Sequence, residues 1–104
     1  MRMWNIEPSL LCRKHLLGEH VEMHMFAGTI KKGISITGYL ENGLVDPSTI
    51  LARHEVLAKE MVELGYNHNS PLDFPLTLES AVVDVEANRD DLRKRCPECK
   101  KRGV

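Results

Sequence analysis

The chain has 104 residues, of which 42% are hydrophobic and 28% charged, which fits one soluble globular domain and excludes disordered and fibrous proteins. No apolar stretch approaches the roughly 20 residues of a membrane-spanning helix, and Glu7 and Pro8 interrupt the start before a signal-peptide core can form. Three cysteines cannot close a set of disulfides, which favours a reducing, cytoplasmic setting.

Charge is unevenly distributed along the chain, although the formal net charge is only -1. Residues 1–40 carry five basic and three acidic side chains, and residues 41–92 carry three basic and eleven acidic ones. Residues 93–104 carry six basic side chains and one acidic one. A basic start and a basic tail around an acidic middle predict a positive surface for a polyanion, with a merely solvated, solubilising tail as the alternative.

Residues typical of helix ends mark the limits of the first two predicted helices. The first begins at Ser9 or Arg13 and ends near Lys32, before Gly33. The second begins with Asp46 as N-cap and Pro47 at the first helical position, and Gly65 stops it.

The remaining segments are less regular. Ile34, Ile36 and the pair Asn42–Gly43 suit either a short hairpin or an irregular loop, and residues 66–75 predict an ordered loop. A third helix is expected from about Leu78 to Arg95, capped by Thr77.

These elements predict a fold that is all-α, a compact single domain of three helices with long connecting loops. The domain would span residues 1–104 and end in a basic CxxC tail at 93–104.

One side of the first helix gathers titratable side chains around a glycine: His15, Gly18, Glu19 and Glu22. His20 and His24 lie on the opposite side. A helix glutamate is usually just solvent-exposed, but the neighbouring histidine and the gap left by the glycine favour a site that includes Glu22.

The run Lys14–Met23, with Arg2 and Asn5 upstream and Gly28 downstream, resembles the catalytic helix of the pyrimidine-dimer DNA glycosylases, the phage endonuclease V family. The run Leu57–Asn67 is similar to the end of that family's second helix, so the resemblance covers about residues 1–70. It implies a DNA repair glycosylase with AP-lyase activity on damaged or modified pyrimidines, cyclobutane pyrimidine dimers among them.

The resemblance further implies a partner and a cellular setting. The partner would be double-stranded DNA that contains a lesion or an abasic site, and no membrane. The protein would act as a monomer in the cytoplasm (the host cytoplasm for a phage-encoded protein), and its catalysis would require no cofactor.

Two residues carry the chemistry that the resemblance implies. In the family a free α-amine attacks C1′ of the damaged nucleotide and forms an imine, and a helix glutamate assists the steps up to strand cleavage. Met1 takes the place of the amine and Glu22 that of the carboxylate. Because Arg2 is bulky, removal of Met1 is not expected, and a reference pKa of ~7.7–8.0 leaves a usable fraction of an α-amine neutral.

The resemblance also yields a set of residues expected to line the site or to bind DNA: Arg2, His15, Gly18, Arg53, His54 and His68. The alternatives are a core histidine for His54 and a purely structural turn for His68. Val21 and Met25 stand where the family carries two arginines that hold DNA.

The motif Cys96-Pro-Glu-Cys99 looks like half of a zinc knuckle, because one short loop supplies two thiolates. His20 and His24, at i and i+4, are the expected remaining ligands of a structural zinc, and Cys12 is another candidate. Free thiols or a redox pair are the alternatives.

Two other functions remain open. The first is a zinc-stabilised nucleic-acid-binding or adaptor domain with the same fold and no catalysis. The second is an enzyme that acts on a free nucleotide or nucleoside.

Overall fold

The computed structural model describes residues 1–75 and 78–104, and throughout those residues the regular structure is helical, with no strand. The elements are α1 (Arg13–Lys31), α2 (Thr37–Glu41), α3 (Ile50–Glu63), α4 (Val85–Arg95), α5 (Pro97–Lys101) and 3-10 turns at Pro8–Leu10 and Pro47–Thr49. The all-α prediction is confirmed, whereas the expected count of three helices is wrong. No helix in the described part is long and apolar enough to cross a membrane.

The two long helices, α1 and α3, pack against each other and form the centre of the molecule. Their inward faces supply fully or almost fully buried side chains to one core: Leu16, Met23, Phe26, Ile50, Leu57 and Met61. Burying each such side chain contributes roughly 1.5–3 kcal/mol. This pair is therefore the rigid support on which the candidate site is built.

The ends of these helices follow local sequence signals. Gly33 adopts φ +73° just past α1, and Gly65 adopts φ +82° just past α3, a left-handed conformation that glycine adopts without steric penalty. The Asp46 side chain accepts a hydrogen bond of 3.1 Å from the backbone N–H of Ser48 and caps the turn that leads into α3. The predicted signals at Asp46, Pro47 and Gly65 therefore act where they were expected.

The connection between α1 and α3 contains the short helix α2 and not a hairpin. The backbone N–H of Leu40 donates to the carbonyl of Ile36, and the Asn42 side chain donates to the carbonyl of Gly38. Tyr39 packs edge-on against Phe26, with ring centroids 5.2 Å apart. These local bonds and this core contact stabilise a helical turn at a place where the alternation of isoleucines suggested strands.

The third long helix begins at Val85, so the predicted start at Leu78 is wrong; Thr77, the predicted cap, lies outside the described residues. The actual cap is Asp84, whose carboxylate accepts from the N–H of Ala87 at 3.0 Å. Residues 78–84 are not helical because their backbone is bonded elsewhere. The N–H of Ala81 donates to the Asp46 carboxylate, and that of Asp84 donates to the carbonyl of Gly43.

Candidate functional site

A pocket of about 330 Å³ opens along the outer side of α1. Its walls combine one face of this helix with the start of the chain and the end of α4: Trp4, Lys14, His15, Gly18, Glu19, Glu22 and Arg95. The helix residues that sequence periodicity grouped around Gly18 therefore do share one concave surface.

The start of the chain lies directly beside Glu22. The backbone N–H of Arg2 donates a hydrogen bond of 3.3 Å to Oε2 of Glu22, and Met1 is half-buried. Asn88 of α4 fixes the following residues, since its side-chain amide donates to the carbonyls of Met3 (3.1 Å) and Trp4 (3.0 Å). The N-terminal segment is thus held against the helix that carries the carboxylate.

Cations surround the indole of Trp4 at the edge of the pocket. The guanidinium carbon of Arg2 lies 4.4 Å from the ring centroid and that of Arg95 lies 5.0 Å from it. Asp91 pairs with both arginines, at 3.0 Å and 3.6 Å. The cation–π contacts and the shared carboxylate hold two positive charges beside the pocket.

Glu19 and Arg53 form a buried ion pair behind the pocket. Nε and Nη2 of Arg53 donate to the two carboxylate oxygens at 2.7 and 2.8 Å, and Nη2 also donates to the carbonyl of Ile6. Burial raises the pKa of Glu19, and the hydrogen bonds and charge of Arg53 oppose that shift. Arg53 is only 7% exposed. The expectation that it contacts DNA is therefore corrected: the guanidinium is buried, and its Nε and Nη2 donors bind the protein itself.

Three cysteines and one histidine converge beneath the pocket. Sγ of Cys12 lies 3.7 Å from Sγ of Cys96 and 3.2 Å from Nδ1 of His15, and Sγ of Cys99 lies 3.5 Å from the same nitrogen. Zinc–ligand bonds of ~2.3 Å to sulfur and ~2.0 Å to nitrogen place tetrahedral ligands roughly 3.5–3.8 Å apart. We call this group the thiolate cluster, and its donor set fits a structural zinc.

Protonation in the thiolate cluster follows from burial and mutual hydrogen bonding. Burial raises the pKa of Cys99 to about 12. Burial also opposes ionisation of Cys96, but hydrogen bonds from the backbone N–H and thiol of Cys99 outweigh it and lower the pKa of Cys96. Burial, with Arg95 and Lys14 nearby, lowers the pKa of His15, which keeps its imidazole neutral and able to bind a metal.

The pairing expected for the cysteines is corrected by this geometry. His20 and His24 lie on the face of α1 that packs towards α3, away from the three thiols, and they meet two other histidines. The second group, the histidine cluster, consists of His20, His24, His54 and His68. The cysteines instead meet Cys12 and His15, which lie at the start of α1.

The histidine cluster is largely shielded from solvent. His54 has no exposed surface and His20 is 5% exposed. Burial, followed by the neighbouring His54, His68 and His24, lowers the pKa of His20 to about 4, so that this imidazole is neutral near pH 7. The expectation that His54 contacts DNA is corrected because its ring is enclosed by protein. His68 likewise bonds to His20, with 2.9 Å between their Nε2 atoms.

The basic tail folds onto the domain. Residues 93–104 form the end of α4 and all of α5, and Val104 is buried. Nε of Arg93 donates to the carbonyl of Val104. Lys100, Lys101 and Arg102 are exposed and leave a positive surface next to the thiolate cluster.

Sequence reasoning missed Trp4, Asn88 and Asp91 as parts of the site, and it placed Arg95 only in the basic tail. Trp4 carries a signal as the single tryptophan of the chain. Asn88 and Asp91 lie on α4, and their approach to the chain start depends on tertiary packing alone.

A family model described as pyrimidine dimer DNA glycosylase matches residues 1–74. No curated protein and no solved structure matches the chain.

Proposed function

The chain belongs to the pyrimidine dimer DNA glycosylase family, and from that premise we propose that it is a DNA repair enzyme that excises damaged or modified pyrimidines and then cleaves the strand as an AP lyase. Cyclobutane pyrimidine dimers are the first lesion to test. The observation that carries the proposal is the hydrogen bond from the Arg2 N–H to Glu22, because it holds the chain start against a carboxylate that lines the pocket.

The nucleophile in this proposal is the α-amine of Met1. In its neutral form an α-amine carries a free electron pair, and it is less basic than the side-chain amine of lysine, which suits it to this role. That pair forms the new bond to C1′ of the damaged nucleotide. The bond between C1′ and the base breaks, and the base leaves with the electron pair and takes up a proton.

Glu22 then performs the proton transfers. Opening of the sugar ring converts the adduct to an imine between the amine nitrogen and C1′. The carboxylate removes a proton from C2′, a double bond forms between C2′ and C3′, and the 3′ phosphate leaves with the electrons of its C–O bond. A positioned general base of this kind contributes typically 10²–10⁴-fold to the rate.

The neighbouring residues have supporting roles. Arg2 and Arg95, held over Trp4, provide positive charge for the DNA backbone. His15 lines the pocket with one side of its ring while Nδ1 faces the thiols. Gly18 leaves room beside Glu22, since a Cβ built on it meets no atom within 4 Å.

A structural zinc in the thiolate cluster is part of the proposal. Its four donors come from the start of α1 and from the Cys96–Cys99 loop, so the ion would tie the pocket wall to the basic surface. Zinc would act there only as a structural ion because all four positions are filled by protein ligands.

The experiment is borohydride trapping on duplex DNA that contains an abasic site. We expect a covalent adduct that mass spectrometry maps to the amine of Met1, on protein whose intact mass shows a free N-terminus. A residual tag residue ahead of Met1 should abolish trapping because it converts that amine to an amide.

The matched substitutions are Glu22→Gln and Glu63→Gln. The first should lower strand cleavage by roughly 10²–10⁴-fold with DNA binding retained, and the second, on an exposed site of α3, should leave both unchanged. An adduct on a lysine, or equal trapping by tagged protein, would contradict the proposed nucleophile. DNA binding without any adduct would support the non-catalytic binding domain. Activity on free nucleosides alone would support an enzyme that acts on a free nucleotide or nucleoside.

A further inference from the structure

Four histidines from three separate segments meet on the side of α1 opposite the pocket. His20 and His24 lie one turn apart on α1, His54 lies on α3, and His68 lies in the loop that follows α3. The proposed glycosylase chemistry uses none of their nitrogens. A cluster of this density between two packed helices therefore needs its own explanation.

The spacing of the imidazole nitrogens is that of ligands around one ion. The Nε2 atoms of His20 and His68 are 2.9 Å apart, and those of His24 and His54 are 3.1 Å apart. His20, His54 and His68 each offer a ligand atom within 4.8 Å of the others. Zinc–nitrogen bonds of ~2.0–2.1 Å put tetrahedral nitrogen ligands roughly 3.3 Å apart.

The hydrogen bonds of His54 give a second, geometric indication. Nδ1 of His54 lies 2.8 Å from Oε1 of Glu55, and since a carboxylate only accepts, Nδ1 donates. Nε2 of the same ring is directed into the cluster, where it lies 3.1 Å from Nε2 of His24 and 3.1 Å from the carbonyl oxygen of Ser70.

The hydrogen bond from His54 to Glu55 is also typical of histidines that bind a metal. Such a ligand usually donates its second N–H to a carboxylate or carbonyl, which fixes the ring orientation and raises its basicity. His54 is held in this way on a helix, so its ligating atom is oriented before any ion binds.

We propose that the histidine cluster is a second metal site, which binds a divalent transition ion of the imidazole-preferring class through Nε2 of His20, His54 and His68, with His24 as the fourth nitrogen. The site is separate from the thiolate cluster in position and in donor chemistry. Its ion fastens the loop of residues 66–75 to α1 and α3. The protein already holds this loop against α1, since the side-chain amine of Lys31 donates to the carbonyl of Asp73.

Metal stoichiometry of the full chain tests the proposal, with Zn²⁺ as the probe. We expect two zinc ions per wild-type chain, one in His68→Ala, and two in the control Asn69→Ala, which alters an exposed neighbour in the same loop. Retention of both ions by His68→Ala would overturn the site. Binding of a single ion by the wild type, lost on thiol alkylation, would overturn it as well.

Three further measurements keep the test independent of folding defects. Cobalt loading should give thiolate-to-metal charge-transfer absorption in both the wild type and His68→Ala, which reports an intact thiolate cluster. His24→Gln should raise the dissociation constant of the second zinc at least tenfold. Zinc should also slow chymotrypsin cleavage after Tyr66 in the wild type but not in His68→Ala, and equal protection of both proteins would overturn the proposed role.

Discussion

Glu19 and Glu22 lie three residues apart on one helix, yet their carboxylates have different surroundings. Glu19 is fully buried and bonded twice to Arg53, so its charge is committed to the structure. Glu22 lines the pocket and is half-exposed there, and its Oε2 accepts from the Arg2 N–H. The residue with the freer carboxylate is therefore the better candidate for proton transfer.

Gly18 has opposite effects on two properties: it lowers the stability of α1, and it leaves space in the pocket. Glycine is roughly 1 kcal/mol less favourable than alanine inside a helix, so Gly18→Leu should raise the free energy of unfolding by about 0.5–1 kcal/mol. The same side chain would extend into the pocket, and imine trapping on abasic DNA should fall at least tenfold. Urea unfolding and borohydride trapping on the same preparation measure the two effects.

The control for Gly18→Leu is Gly28→Ala on the same helix. An added Cβ there also meets no atom within 4 Å, and the residue does not line the pocket. It should stabilise the protein with trapping unchanged. Undiminished trapping by Gly18→Leu would show that substrate does not occupy this pocket.

At the scale of elements, sequence patterns gave correct predictions where all the residues involved lie in one helix or directly at its end. The 100° spacing that grouped His15, Gly18 and Glu22 needs only α1, and the pocket confirms the grouping. The stop at Gly65 needs only a left-handed residue. The predicted start of the last long helix was wrong. The apolar spacing of residues 78–85 also suits a non-helical segment, and in the structure that segment bonds to Gly43 and Asp46.

The expected pairing of His20 and His24 with Cys96 and Cys99 was wrong for the same physical reason. Two histidines at i and i+4 define one helix face but do not say what that face meets. In this fold α3 brings His54 to that face, and Cys96 and Cys99 meet Cys12, the other candidate ligand, at the start of α1. Long-range packing decides which side chains meet these histidines and cysteines, and the periodicity of one helix holds no information on that packing.

Asp84 provides the test of the corrected α4 boundary. Its carboxylate accepts from the Ala87 N–H and satisfies a free donor of the first turn. We expect Asp84→Ala to lower the free energy of unfolding by about 1 kcal/mol, measured by urea titration at constant zinc. Asp84→Asn should retain most of that stability, because an amide oxygen also accepts. Equal losses in both variants would argue against the cap.

At the scale of the whole molecule, the thiolate cluster joins parts of the chain that are far apart in sequence. Cys12 precedes α1, and its backbone N–H donates to Sγ of Cys99, 87 residues later. Since metal binding to a folded site stabilises the fold, removing zinc with a chelator should lower the melting temperature, and added zinc should restore it.

The His68→Ala background isolates this effect. With the histidine cluster disabled, chelation should still lower the melting temperature, whereas in Cys99→Ser the response should be lost or strongly reduced. Glu98→Gln, which changes the exposed neighbour of Cys99, should behave as wild type. A melting temperature insensitive to chelator in every variant would remove the structural zinc from the proposal.

The clamp made by Asn88 has a consequence for how the site forms during folding. This side chain is 1% exposed, and its amide bonds to Arg2, Met3 and Trp4 across 84–86 positions of sequence. Closing so large a loop carries an entropy penalty, and contacts of high sequence separation slow folding. The stretch that matches the family, residues 1–74, contains both proposed catalytic residues but lacks this clamp. The stretch that the family model matches and the stretch that fixes the start of the chain are therefore different lengths of chain, and we expect the proposed nucleophile, the Met1 amine, to take its place only when α4 has docked.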